Sequence, residues 1–151
     1  MSETTPDENG LLYIQDPLLE GFRVALKTRL GGAVRDVTIG AAETGPRWVN
    51  LWPLDPRVHD WTLGGPTAST LTFQATSVGL DAQDAWKLGS QVRYLLGKNR
   101  HGSFRLPVEV DGYHVIDLTF TGGSGDSAAG VGTWHETFSV LYHQNRASEP
   151  F

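Results

Sequence analysis

The side chains of this sequence able to do chemistry are five histidines, seventeen acids and a spread of hydroxyls, for it contains no cysteine. Disulfides, thiolate zinc sites, cysteine-held iron–sulfur clusters and cysteine nucleophiles are thereby excluded. The histidines are His59, His101, His114, His135 and His143. A helical zinc hydrolase needs two of them four residues apart beside a glutamate, because that spacing brings both imidazoles to one face. His135-Glu136 supplies half of such a signature, but Ser139 stands where the second histidine is required, and the surrounding alternation is that of a strand. His135 therefore reads as a residue on the solvated face of a strand. His143 shares that face, yet eight residues of strand place the two roughly 26 Å apart, too far to hold one metal. No metal ligands and no cofactor-binding residues are expected.

Paired carboxylates offer acid–base chemistry if Asp117 and Glu136 lie on neighbouring strands. Glu136 shares a face with Trp134 and Phe138, which makes it a half-buried acid with a raised pKa unless it sits near a strand end or meets an arginine such as Arg93 or Arg105. No glycine-rich segment runs into Lys-Ser or Lys-Thr, as a phosphate loop does. The run at residues 122–132 precedes a strand, whereas phosphate cradles precede a helix whose amides face the ligand. Its Gly123-Ser124-Gly125 likewise lacks the tight strand-to-helix turn of a nucleophile elbow. No catalytic residue is assigned, and the chain is expected not to be an enzyme.

These residues must be positioned by a small number of elements. Asp16-Pro17 is a helix start, an acceptor for free amides followed by a ring already at helical φ. Leu18, Phe22, Ala25, Leu26 and Leu30 then recur at three- and four-residue spacing until Gly31-Gly32, which predicts a helix over 17–30. A second helix is predicted over 82–96: Asp81 can cap it, Asp84 follows, and Ala85, Leu88, Gly89, Val92, Leu95 and Leu96 form one stripe that Trp86 widens. Leu71, Phe73 and Ala75 alternate with polar residues, as do His114, Ile116, Leu118 and Phe120, and again Trp134, Glu136, Phe138, Val140 and Tyr142. All three segments read as strands. Shorter strands are expected at Val34 to Ile39 and Trp48 to Trp52, and Phe104 to Val110, interrupted by Pro107, suits an edge or a strand end. Residues 122–132 read as a long flexible loop, and Pro53 to Pro66 as a long surface connection. Residues 1–10 read as a flexible arm and Leu11 to Gln15 as an extended lead-in.

At 151 residues and 39% hydrophobic, the chain fits one globular domain over residues 11–151. The pattern predicts an α+β fold, a single mostly antiparallel sheet with two main helices packed against it. A net charge of -5 lacks the basic footprint of a nucleic-acid-binding domain. Neither a secretory start nor an apolar run of the ~20 residues that span a bilayer is evident, so a soluble, cytoplasmic chain is expected. Five tryptophans exceed what periodicity assigns: Trp86 and Trp134 fit the core, while Trp48, Trp52 and Trp61 lie in less regular sequence. The candidate partner or subunit contacts are Trp48, Trp52, Arg57, His59, Trp61, Arg100, His101, Gly123, Ser124 and Asp126.

The order of parts resembles the tail-terminator proteins of long-tailed bacteriophages. The resemblance runs over roughly residues 12–144. It is carried by the early helix ending in Leu30-Gly31-Gly32, by Pro46-Arg47-Trp48-Val49, and by Leu71-Thr72-Phe73-Gln74-Ala75-Thr76-Ser77-Val78-Gly79 running directly into Asp81-Ala82-Gln83-Asp84-Ala85-Trp86. Val92-Arg93-Tyr94-Leu95-Leu96 closes that helix, and a pair of strands ending in Tyr142 follows. It implies a virion protein, assembled in the host cytoplasm. A ring of six copies, stacked on the tail tube protein, would stop tube growth and present a surface to a head-completion or connector protein. DNA would pass through without specific binding, and no catalytic residue or cofactor is implied. The competing readings are a head-to-tail adaptor, a monomeric ligand-binding module using Trp48 to Trp61, and a hydrolase using Glu136 or Asp117.

Overall fold

The computed structural model describes residues 16–41, 45–54, 58–62, 65–128 and 131–144. The expected arm, the lead-in at 11–15 and Arg57 lie outside the described residues. Both predicted helices form. In α1 (Pro17–Leu30) the Asp16 carboxylate accepts the N–H groups of Leu18 and Leu19, each at 3.1 Å. Leu18, Leu19, Phe22, Leu26 and Leu30 are buried. Gly31 ends the helix at φ 54°, a left-handed value that a side chain would resist. It opens a 3-10 turn, Gly31–Ala33.

In α2 (Ala82–Leu96) the cap is reciprocal. Asp81 accepts from the Asp84 N–H at 2.8 Å, and Asp84 accepts from the Leu80 N–H at 2.8 Å. All six residues of the predicted stripe are buried. Trp86 is not part of it: 47% of it is exposed. One residue on from Ala85 is a 100° step around the helix, and the sheet surface beneath is already filled by Trp134 at Gly89.

The strands are β1 (Asp36–Ile39), β2 (Trp48–Pro53), β3 (Val58–Thr62), β4 (Gly65–Gly79), β5 (Tyr113–Ala128) and β6 (Val131–Gln144). They form one sheet in the order β1-β2-β4-β6-β5, with β3 alongside the first part of β4. All pairings are antiparallel except β1 with β2. The chain is thus α+β, with a mostly antiparallel sheet, as the pattern predicts. The core lies between the sheet and the two helices. An aromatic row crosses it: Phe22 to Phe73, Phe73 to Phe138 and Phe138 to Phe120, with ring centres 5.6, 5.7 and 5.7 Å apart.

Several local expectations are corrected. Residues 122–128 are not loop but the second half of β5, paired with Val131 to Thr137 of β6. Their lack of side chains serves packing: a Cβ at Gly123, Gly125 or, from α2, Gly89 would run into the Trp134 indole. Three glycines thereby make a slot for one large ring. The expected surface connection at 53–66 contains β3. β2 reaches β4 only as far as Phe73, and β3 folds back to occupy the edge of β4 from Gly65 to Thr70 that would otherwise present unpaired amides. By contrast, Phe104 to Val110 forms no strand, only single bridges from Phe104 to Lys98 and from Val110 to Tyr113, while Leu106 is buried. β1 begins at Asp36, not Val34.

In β5 the strict alternation fails because Ile116 is a bulge between Val115 and Asp117, so Val115 and Leu118 pack on the core while Ile116 is 41% exposed; Phe120, opposite Phe138, keeps the face of Leu118 and lies at the core's margin, 39% exposed.

Candidate interaction surfaces

Alternation along β2, β4 and β6 gives the sheet two unlike sides. Val49, Leu51, Leu71, Phe73, Ala75, Phe138, Val140 and Tyr142 enter the core. Trp48, Asn50, Trp52, Thr72, Gln74, Thr76, Thr133, His135, Thr137, Ser139 and Leu141 point away from the helices. Along β2, β4 and β6 that second side carries no Asp, Glu, Lys or Arg and is knitted by hydroxyls. Thr76 Oγ1 lies 3.0 Å from His135 Nδ1, Thr133 Oγ1 lies 3.4 Å from His135 Nε2, and Thr72 Oγ1 lies 3.2 Å from Ser139 Oγ. His135 is thus half-buried within a hydroxyl network instead of standing free in solvent.

Trp48 and Trp52 lie on this side, but Trp48 is committed locally. Its indole N–H donates to Thr38 Oγ1 at 3.0 Å, and the Thr38 hydroxyl donates to Asn50 Oδ1 at 2.8 Å. Buried Asn50 also exchanges two hydrogen bonds with the Ala41 backbone, at 3.1 and 2.8 Å, so this chain of groups pins the return from β1 to β2. His59 and Trp61 fall on β3, opposite Ser69 and Pro66, along the same edge of β4 that β2 occupies further on; their side chains lie outside the described part. Arg100 and His101 are exposed in the turn after α2. Gly123 and Ser124 are exposed on β5, opposite Glu136 and His135, and Asp126 follows opposite Thr133. The ten predicted contact residues are therefore distributed: the tryptophan group alongside β4, the pair after α2, and the β5 group beyond β6. Arg57 lies outside the described residues.

The two acids singled out in the sequence do not meet. Asp117 pairs with Leu141 and Gly123 with Glu136, a separation of five residues along β6, or about 17 Å. Asp117 is bound by the Lys98 ammonium at 2.9 Å, which holds its carboxyl below the ordinary value, helped by the Leu118 N–H. Glu136 is only 2% exposed. Its Oε2 accepts from Trp134 Nε1 at 2.8 Å and lies 3.8 Å from Arg93 Nε, while Oε1 has no hydrogen-bond partner among the described residues. Burial pushes its pKa up, against the opposing pull of the Trp134 N–H and Arg93. The arginine is Arg93 and not Arg105, which instead stacks on Tyr94. A cleft presenting both carboxylates, as the hydrolase reading requires, is not formed.

One surface was not read from the sequence. The outer side of α2 exposes Trp86 and, 60% open, Tyr94. The Arg105 guanidinium stacks 3.9 Å from the centre of the Tyr94 ring and donates to the Tyr94 carbonyl at 3.0 Å, and Arg93 lies 4.8 Å over Phe120. The signal was available as charge segregation: residues 85–108 hold five of the twelve Lys and Arg and none of the seventeen Asp and Glu. A scan against protein-family models and a search of curated proteins give no match for this chain.

Proposed function

We propose that this chain is a structural virion subunit, a tail terminator that assembles as a ring on the head-proximal end of a phage tail tube, stops its growth and provides the surface for head joining. The observation that carries the reading is the arrangement of the resembling segment. Residues 71–79 form a central strand that runs straight into α2, and that strand pairs with the terminal strand ending near Tyr142. What supports it further is surplus surface: a sheet side without formal charge along β2, β4 and β6, an exposed aromatic helix side and a long edge strand, β5, all suited to neighbours. Separation of Asp117 from Glu136 favours an assembling role over hydrolysis.

Electron microscopy of lysates from the parent phage with this gene disabled, beside a complemented control, tests the proposal. Overlong or uncapped headless tubes are the expected result. Tails of normal length that fail to join heads would point to a head-to-tail adaptor. Fully assembled particles would overturn both and return attention to ligand binding along Trp48 to Trp61.

A further inference from the structure

Segregation of charge on this molecule is paired with segregation of shape. On one side stands the outer face of α2, with Trp86 and Tyr94 exposed among Lys87, Arg93, Arg100 and Arg105. Trp, Tyr and Arg are the residue types that dominate interface energetics. Among the described residues no carboxylate pairs with Lys87 or Arg100. On the other side a groove of about 520 Å³ runs between α1 and residues 107–111. Val24, Ala25, Val108 and Val110 make it apolar, and exposed Glu109 and Asp111 make it acidic.

The two features share no residue, and although Arg105 stands only two residues before Pro107 of the groove, their far ends lie well apart. Trp86 is one turn from Gly89, which lies on Trp134, whereas Asp111 precedes Tyr113, which pairs with Gln144. Ten residues of β6, about 33 Å, separate those ends.

We propose that the outer face of α2 docks into this groove on a second copy of the chain, Trp86 and Tyr94 meeting the apolar residues and the cations of residues 85–108 facing Glu109 and Asp111. The inference rests on the assembling-subunit reading and specifies its contact. Charge complementarity selects the occupant. Two α2 faces brought together would oppose cation to cation, and two grooves would oppose acid to acid, so an isologous dimer is disfavoured at either patch. The contact of unlike patches is heterologous, the kind that propagates and closes a ring when the rotation permits. A nucleic acid is the other polyanion that this face could attract, but the groove gives the protein partner a matching apolar seat and the remainder of the chain is strongly acidic.

Because the full chain contains no cysteine, single cysteines report the contact directly. Gln83→Cys, one turn before Lys87, and Thr28→Cys, one turn past Val24, both at exposed sites that leave the charges intact and each shown to melt like the parent, are mixed at high concentration and treated with a short bismaleimide. The mixture is expected to give a cross-linked dimer at least about tenfold above either variant alone, lost at high salt and reduced by Trp86→Ala. Equal cross-linking by each variant alone, or none from the mixture, overturns the proposal. So does a short DNA duplex that binds the chain and displaces the mixed cross-link, since the α2 face would then belong to nucleic acid. Overlong tails without the mixed cross-link would keep the terminator role and remove this surface. The cross-link with normal tails would keep the surface and remove that role.

Discussion

Glu136 is the one carboxylic acid or base buried among the described residues, a carboxyl group 2% exposed with one oxygen unpartnered. Its pKa lies above the ordinary value in the folded chain because burial outweighs the help of Trp134 and Arg93. The unfolded chain therefore releases this proton first. The group costs nothing at a pH below the unfolded value; stability falls as pH rises through the raised value and is level beyond it. Glu136→Gln should abolish that decline. Thermal melts should show the variant matching the parent in acid and exceeding it near neutrality by ~1 kcal/mol or more. Burial also ranks the aromatic residues. Phe138→Ala should cost about 3–5 kcal/mol because it empties the centre of the ring row. Trp86→Ala, at a site 47% exposed, should cost under about 1 kcal/mol in the same denaturant titration. Equal losses at the two sites would contradict the placement of Trp86 outside the core.

At the scale of elements, α2 is held by its caps and by the surface it lies on. Gly79 and Gly132 face each other across β4 and β6, and a Cβ on either would strike the backbone of the helix start, Ala85 and Asp84 above Gly79, Asp81 and Ala82 above Gly132. Neither side can yield cheaply, because both are backbone. Alanine at either glycine should therefore destabilise by about 2 kcal/mol or more, read as a lowered denaturation midpoint with an unchanged slope. Asp81→Ala should cost about 1 kcal/mol, the usual value of an N-cap, since the Asp84 N–H loses its acceptor. The trio of Gly89, Gly123 and Gly125 around Trp134 follows the same logic. A glycine run that looks like flexible linker from composition is here a strand shaped to receive an indole.

For the whole molecule, sheet order sets which parts open first. β4 and β6 have neighbours on both sides, while β1 is a four-residue edge and β5 leaves one side unpaired within the sheet. Amide exchange should accordingly be slowest in residues 71–78 and 134–142 and fast in 122–128, which lie on an edge and are rich in glycine. Fast exchange of the 134–142 amides would contradict the central placement of β6. Protection of 122–128 that rises with protein concentration would instead report an assembly covering this edge.

The sequence by itself determined the two helices to the residue, their caps, the buried stripes and three long strands, because these are local matters of periodicity and hydrogen-bond satisfaction within one element. It also made the helix-on-sheet class legible, and it held the charge segregation around α2 in plain view. Tertiary structure decided the rest. Whether residues 122–128 are loop or strand depended on Trp134, a residue beyond the run itself. The strand within 53–66 depended on how far β2 extends along β4, and the faces of β5 on a bulge created by pairing with β6. The separation of Asp117 from Glu136, and the identity of Glu136's cation as Arg93, are likewise properties of register and packing. These depend on partners distant along the chain, and no local pattern encodes which partner a strand edge or a buried oxygen will find.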